Sequence, residues 1–141
     1  MIRVVLDTSV LVSAMLSRAG APARILERWS EGGFDVTVCP HLVAELERAL
    51  GYEKLRPYVS AEDASDYVRS IVQSSVMVED PVDIARVVRD RDDDYLVALA
   101  RAVSAHALVS GDRDLLVLDL PDLHVMSPRA FLERLEATGN G

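Results

Sequence analysis

The sequence predicts a three-layer α/β/α domain with a central parallel sheet of about five strands. Short apolar segments alternate with amphipathic segments along the chain, which is the pattern of strands that alternate with helices. The first strand segment, Ile2 to Leu6, is apolar on both faces apart from Arg3, as in a strand that helices cover on both sides. The length of 141 residues and the hydrophobic fraction of 50% suit one domain that buries its own core.

The predicted elements of the first half of the chain have recognisable ends. In order, they are strand 2–6, helix 8–16, helix 23–30, strand 35–39, helix 40–50 and helix 60–74. Gly32 and Gly33 end the second helix, and Pro40 suits the first turn of the third. Ser60 and Asp63 resemble the capping box that begins a helix.

The second half continues the alternation. In order, its elements are strand 76–78, a weak helix or a turn over 82–88, helix 95–104, strand 107–109, strand 124–126 and helix 128–137. Apolar residues at helical spacing mark helix 95–104, which Asp93 or Asp94 begins. Ser127 and Pro128 begin the last helix. We expect one domain over residues 1–137 and a flexible tail over residues 138–141.

Composition argues against several classes of protein. No apolar run of about 18 residues is present, so we expect no membrane span. The N-terminus becomes charged too early for a secretory signal peptide. The single cysteine, Cys39, favours a cytoplasmic protein and a buried, non-catalytic thiol. The net charge of −8 has the wrong sign for a protein that binds nucleic acid through Lys and Arg.

Asp7 and Asp112 are the strongest candidates for a functional site. Each follows a predicted strand, and the carboxyl ends of parallel strands form the ligand-binding edge of an open α/β sheet. Two carboxylates at that edge repel each other, which favours either a bound cation or a raised pKa. A small number of oxygen ligands suits Mg²⁺ or Mn²⁺.

Other polar residues near these strands have both a functional and an ordinary interpretation. Glu45 borders the buried face of helix 40–50, and helix geometry alone favours solvent or an arginine over a metal as its partner. The acids at 92–94 and Asp114 suit helix starts, although three consecutive acids exceed what a cap needs. Three hydroxyls flank the two key acids and could either cap helices or hold the site: Thr8, Ser9 and Ser110.

Four segments, taken in order, resemble the acidic motifs of PIN domains. They are Val4–Ser13, Leu42–Leu46, Arg91–Ala100 and Ala107–Leu116. The resemblance covers nearly the whole chain. The stretch Tyr52–Arg56 also resembles the subgroup described as toxin components of toxin–antitoxin systems.

The resemblance implies a ribonuclease that depends on Mg²⁺ or Mn²⁺. Its catalytic and metal-binding acids would be Asp7, Glu45, Asp93 and Asp112. Asp93 is preferred to Asp94 because Ala100 then falls seven residues on, as in the family pattern. Auxiliary positions would be Asp94, Asp114, Thr8, Ser9 and Ser110. Ser9 and Ser110 stand where the family more often has Asn and Thr.

The implied reaction is metal-assisted hydrolysis of phosphodiester bonds, in which Glu45 or Asp112 takes a proton from water. The implied partners are single-stranded or structured RNA, a protein antitoxin, and a second copy of the chain in a homo-oligomer such as a homodimer. A bound cation would offset the negative charge of the site. Arg18, Arg91 and Arg113 would then guide the RNA backbone at the rim.

Two other classes of function remain open. A haloacid-dehalogenase-like phosphatase or a response-regulator receiver would need further acids and a lysine, but Ser9 replaces the second acid and Lys54 is the only lysine. A binding protein without activity, which acts through an antitoxin or through self-association, is the stronger alternative. Its docking surface would be helices 40–50 and 60–74. The acidic quartet argues against it, because unneeded acids at the edge of a core cost stability.

Overall fold

Five parallel strands form the central sheet in the part of the chain that the structure describes, residues 1–139. In this computed structural model the strands are β1 (Arg3–Leu6), β2 (Asp35–Val38), β3 (Val76–Met77), β4 (Ala107–Val109) and β5 (Val125–Met126). Their order across the sheet is β3-β2-β1-β4-β5, and every neighbouring pair is parallel. The predicted parallel sheet of about five strands is therefore confirmed.

Helices connect the strands and cover the sheet. They are α1 (Thr8–Leu16), α2 (Ala21–Ser30), α3 (Pro40–Leu50), α4 (Ala61–Ser74), α5 (Asp94–Ala102), α6 (Arg113–Leu116) and α7 (Pro128–Gly139). Two 3₁₀ turns, Glu53–Leu55 and Arg91–Asp93, lie between them. α1 packs on α2 and α3, α2 also packs on α7, and α5 packs on β1 and β4. The arrangement is the three-layer α/β/α architecture that the sequence predicts.

The core follows directly from the apolar segments. Val4, Val5 and Leu6 of β1 are fully buried, as expected for the central strand of a covered sheet. Phe34, just before β2, meets Phe131 of α7 edge to face with 5.3 Å between the ring centres. This contact fixes the last helix against the sheet.

The strand order places a topological switch beside β1. The chain passes from β1 to β2 and β3 on one side, and then crosses to β4 and β5 on the other side. The carboxyl ends of β1 and β4 flank this switch, which is where open α/β sheets form their binding crevices.

Several boundaries differ from the prediction for local reasons. α2 begins two residues early at Ala21, because Pro22 is compatible with a first helical turn. α5 ends at Ala102, since Ser104 adopts a left-handed backbone with φ of 52°. Residues 82–88 form an irregular segment with bends instead of a weak helix. The last helix continues to Gly139, and the predicted tail includes residues 140–141, which lie outside the described residues.

Among residues 1–139, no helix combines the length and the apolar character needed to cross a membrane.

Candidate active site

Asp7 and Ser110 begin the site because they follow two paired strands. Leu6 of β1 is paired with Val109 of β4, and the Asp7 amide donates to the Val109 carbonyl at 2.9 Å. The two residues after the strands are therefore neighbours at the carboxyl edge of the sheet. The sequence prediction that the ends of these strands converge is confirmed in the structure.

Asp7 is a buried carboxylate, 4% exposed, and both of its oxygens accept hydrogen bonds. Its Oδ2 accepts from the Ser110 hydroxyl at 2.6 Å. Its Oδ1 accepts from the Thr8 hydroxyl at 3.3 Å and from the Ser9 amide at 3.5 Å, which makes Asp7 the N-cap of α1. These donors compensate the cost of burying a charge. Ser110, whose hydroxyl also accepts from the Asp112 amide at 2.9 Å, links the two key acids.

Asp112 is half-buried and begins α6. Its Oδ1 accepts from the Asp114 amide at 2.9 Å, which is the geometry of an N-cap. Asp114 lies within α6 and does not line the cleft that contains Asp7 and Asp112. The short helix that the sequence offered as the ordinary interpretation of Asp114 is therefore present.

The structure separates Asp93 from Asp94. Asp94 is 4% exposed, and its Oδ1 accepts from the amides of Val87 and Val88 at 2.9 and 2.7 Å. These two hydrogen bonds hold the irregular segment 82–88 against the start of α5. Asp93 instead faces Asp112, with which it shares a hydrogen bond. The side chain that lies in the cleft is Asp93, the position preferred from the family pattern.

Electrostatics in the cleft strongly perturb Asp93. Burial, the hydrogen bond with Asp112, and the charges of Asp7, Asp112 and Asp90 raise the pKa of Asp93 to about 8. At neutral pH this carboxyl therefore keeps its proton in the absence of a cation. Without a cation, the acids of the cleft are therefore not all ionised at neutral pH.

Glu45 projects from α3 toward the same cleft. Its Oε1 accepts from the Thr8 hydroxyl at 3.1 Å, and its Oε2 lies 3.5 Å from Nε2 of His41. Its negative charge, after burial, contributes to raising the pKa of Tyr95 above the ordinary range. In the described part of the chain Glu45 therefore contacts Thr8 and His41 and not an arginine, while its side chain stays 24% exposed to solvent.

Four sequence-predicted acids meet in one cleft of about 460 Å³. It is lined by Asp7, Glu45, Asp93 and Asp112, together with Thr8, Ser9, Ser13, Asp90, Gly111 and others. Among the predicted rim arginines, Arg91 lines an adjoining groove, whereas Arg18 and Arg113 line neither cavity. Sequence reasoning missed Asp90, which lines the cleft, and His41, whose spacing of four residues from Glu45 on a helix was the available signal.

Cys39 takes no part in this chemistry. It is fully buried at the start of α3, and burial is the first cause that raises the pKa of its thiol to about 11. The group is therefore a protonated thiol at neutral pH and a poor nucleophile.

Comparison with known proteins decides the family. Residues 3–114 match the family model described as the PIN domain. The chain belongs to the PIN domain family. PIN domains are generally nucleases, and a nuclease is the activity that this membership supports. The family that the four motifs predicted is thereby confirmed.

Relatives and solved structures cover nearly the whole PIN chain. It is 28% identical to the uncharacterized protein MJ1680 of Methanocaldococcus jannaschii, over 96% of this chain and 92% of that protein. The crystal structure of PAE2754 from Pyrobaculum aerophilum is similar with a TM-score of 0.71 and 20% identity, over 96% of this chain and 90% of that one. The structural likeness shows that PAE2754 shares the fold of this chain.

Two more distant structures share the fold. VapBC2 from Rickettsia felis, solved with a DNA fragment from its promoter, has a TM-score of 0.63 at 13% identity, over 89% of this chain and 98% of that one. The RRP44 PIN domain of T. brucei has a TM-score of 0.57 at 12% identity, over 99% of this chain and 83% of that one. At these identities the likeness concerns the fold alone.

Proposed function

We propose that this PIN domain is an endoribonuclease that depends on Mg²⁺ or Mn²⁺. The observation that carries the proposal is the convergence of Asp7, Glu45, Asp93 and Asp112 in one cleft beside the topological switch. These acids come from four separate parts of the chain, so no single helix cap explains their meeting. Burial, together with the hydrogen bond with Asp112 and the charges of the neighbouring acids, raises the pKa of Asp93.

The donor set fits a hard divalent cation. Within residues 1–139, no three Asp, Glu, His or Cys side chains form a ready-made coordination shell. Mg²⁺ is compatible with this arrangement because proteins often bind it through one or two carboxylates while it keeps several waters. Asp7, Asp93 and Asp112 are the residues that would hold the ion, with Glu45 at the edge of the same cleft.

The residues around the acids have distinct tasks in the proposed reaction. A divalent cation held by these acids would activate water and stabilise negative charge on the phosphate. Ser110 and Thr8 hold the two oxygens of Asp7, and Thr8 also orients Glu45. We assign proton acceptance to Glu45, because both oxygens of Asp7 and Oδ1 of Asp112 accept hydrogen bonds, whereas only Oε1 of Glu45 accepts one and its Oε2 lies 3.5 Å from Nε2 of His41.

The proposed hydrolysis uses one water molecule to break one phosphodiester bond. The water oxygen bonds to phosphorus, its proton passes to Glu45, and the bond from phosphorus to the leaving ribose oxygen breaks. The leaving oxygen takes a proton from solvent. His41, beside Oε2 of Glu45, helps keep this carboxylate oriented toward the cleft.

We propose further that the chain is the toxin of a toxin–antitoxin pair. Two observations support this role: the resemblance of Tyr52–Arg56 to that subgroup, and the fold shared with VapBC2 of Rickettsia felis. The partner would be a protein antitoxin. Docking on α3 and α4 and assembly into a homo-oligomer stay predictions.

We favour hydrolysis over a silent binding role because acids that repel one another in the cleft lower the stability of the folded protein. A protein that only associated with a partner would gain stability by losing acids that repel one another at the edge of its core. Asp93, whose pKa is raised to about 8 by burial and by the neighbouring acids, carries this cost.

Removal of the metal is the first test of the proposed activity. Labelled RNA of mixed sequence should be cut in Mg²⁺ or Mn²⁺, and excess chelator should lower the rate at least about 100-fold because the cleft then lacks its cation. Excess Mg²⁺ should restore cleavage. Equal rates of cleavage with and without chelator would contradict the metal-dependent mechanism. Absence of cleavage under all conditions would favour the silent binding protein.

A further inference from the structure

The hydroxyl of Tyr95 is a buried donor without a hydrogen-bond partner in the described part of the chain. Tyr95 lies in the first turn of α5, and only 5% of its surface is exposed. An unpaired hydroxyl at this depth lowers the stability of the folded protein, and a phenylalanine would fill the same space without that loss. Buried polar groups without a partner are uncommon in folded proteins, so this hydroxyl points to a role in function.

An acceptor that lacks a donor belongs to the same surface. Tyr95, His41 and Glu45 line one groove of about 470 Å³ that adjoins the acidic cleft. Oε1 of Glu45 accepts from the Thr8 hydroxyl, whereas the group beside Oε2 is Nε2 of His41 at 3.5 Å. This separation is longer than that of an ordinary hydrogen bond from nitrogen to oxygen. Oε2 of Glu45 can therefore accept a further hydrogen bond.

The ring of Tyr95 has a defined place beside these groups. Its centre lies 4.0 Å from the centre of the His41 ring, with an angle of 52° between the two planes. The His41 amide in turn donates to Oδ1 of Asp80 at 2.8 Å, which holds the start of α3. Burial first, and then the charge and the oxygens of Glu45, raise the pKa of Tyr95 above its ordinary range. The hydroxyl therefore keeps its proton and is available as a donor.

We propose that Tyr95 is a positioning residue, whose hydroxyl donates to Oε2 of Glu45 while Thr8 donates to Oε1. A carboxylate that is held at both oxygens keeps one orientation toward the attacking water, whereas a carboxylate held at one oxygen can rotate. An ionised carboxylate has about four acceptor positions, so two donors leave room for the proton of water. This inference rests on the proposed ribonuclease function and adds to it a residue that acts through Glu45.

The role is tested by measuring kcat and KM for labelled RNA in Mg²⁺. Tyr95→Phe should lower kcat about 10-fold, because the proton acceptor is then held at one oxygen only. KM should change by less than about twofold, since the hydroxyl acts on Glu45 and not on RNA. Tyr58→Phe is the matched control, because Tyr58 is 78% exposed and lines neither groove nor cleft. It should keep the kcat of the wild type.

A double-variant cycle tests whether Tyr95 acts through Glu45. Glu45→Gln removes the proton acceptor, so adding Tyr95→Phe to this protein should not lower kcat further. A tyrosine that only supported the fold would lower kcat by the same factor in both proteins, and that result would contradict the positioning role.

Nuclear magnetic resonance of protein labelled with ¹³C at the tyrosine Cζ observes the contact without any cleavage. The chain has four tyrosines, and the signal that is missing in Tyr95→Phe belongs to Tyr95. Glu45→Gln should shift this signal, because the hydroxyl loses a charged acceptor. The signal of Tyr67, whose hydroxyl donates to the Leu11 carbonyl at 2.6 Å, should not move.

An unchanged Tyr95 signal in Glu45→Gln would overturn the proposed contact. Equal kcat for Tyr95→Phe and Tyr58→Phe, in a protein that cleaves RNA, would overturn the positioning role and leave the proposed hydrolysis intact. Failure of the proposed activity looks different. If the Tyr95 signal responded to Glu45→Gln but the wild-type protein did not cleave RNA, the contact would stand and the proposed hydrolysis would fall.

Discussion

Asp112→Asn is expected to lower the rate of RNA hydrolysis in Mg²⁺ at least about 100-fold. The substitution removes one negative charge from the cleft, where Asp112 faces Asp93 and lies near Asp7. It preserves the fold, because the asparagine oxygen can still accept from the Asp114 amide and cap α6. The rate is measured with labelled RNA under single-turnover conditions.

Asp119→Asn is the matched control for this experiment. Asp119 is an exposed acid that does not line the cleft, and its substitution changes the net charge by the same amount. The control should cleave RNA at the wild-type rate. Comparable rates for the two variants would mean that the charge of Asp112 contributes nothing to hydrolysis.

Asp93→Asn should stabilise the metal-free protein and abolish most of its stabilisation by Mg²⁺. In the folded protein the pKa of Asp93 is raised from 3.8 to about 8. The folded state therefore holds this proton more tightly than the unfolded state, and the resulting stability is fully present below about pH 4 and lost as pH rises through about 8. Asparagine does not titrate, so the variant should lack the loss of stability that Asp93 causes across that window.

Thermal unfolding at pH 8.5 measures this difference. Without metal, Asp93→Asn should unfold at a temperature a few degrees above that of the wild type, corresponding to about 0.5–2 kcal/mol. Millimolar Mg²⁺ should raise the unfolding temperature of the wild type more than that of the variant. A variant less stable than the wild type without metal, or equally stabilised by Mg²⁺, would contradict the assignment.

Asp94 supplies the comparison for Asp93. Asp94→Ala leaves the partly buried amide of Val87 and the buried amide of Val88 without their acceptor. This should cost about 1–3 kcal/mol at every pH and with or without metal. Adjacent acids should thus show opposite changes in stability.

The fold could be predicted from the sequence because its main signals are local. A doubly covered strand such as β1 is apolar on both faces apart from Arg3, and Pro40 and Ser60 mark helix starts within a few residues. The irregular segment 82–88 was ambiguous because a residue outside it, Asp94, satisfies two of its amides. A pattern in the segment itself does not contain that contact.

The candidate site could be predicted only in part. Asp7 and Asp112 follow strands, so topology alone brings them to one edge. Glu45 looked like an ordinary border residue on a helical wheel, because its contact with Thr8 depends on how α3 packs against α1. Asp93 and Asp94 are neighbours that both suit a helix start, and the packing of segment 82–88 is what separates them.

The groove beside the cleft could not be predicted from the sequence. Arg48 and Tyr52 lie in and just after α3, Ile84 lies in the distant segment 82–88, and only Tyr52 belongs to a segment that resembles a known family. The tyrosines are scattered in sequence and predict no stacking platform. Tertiary packing alone places Tyr52 next to the acids.

Titration with Mn²⁺, followed by the paramagnetic resonance of the free ion, tests most directly the claim that the acidic cleft is a divalent metal centre. The wild-type protein should bind Mn²⁺, Mg²⁺ should compete for the same site, and Asp112→Asn should weaken the affinity at least about 10-fold while Asp119→Asn leaves it unchanged. Absence of Mn²⁺ binding to the folded wild-type protein at millimolar concentration, or equal affinity in Asp112→Asn, would contradict the claim.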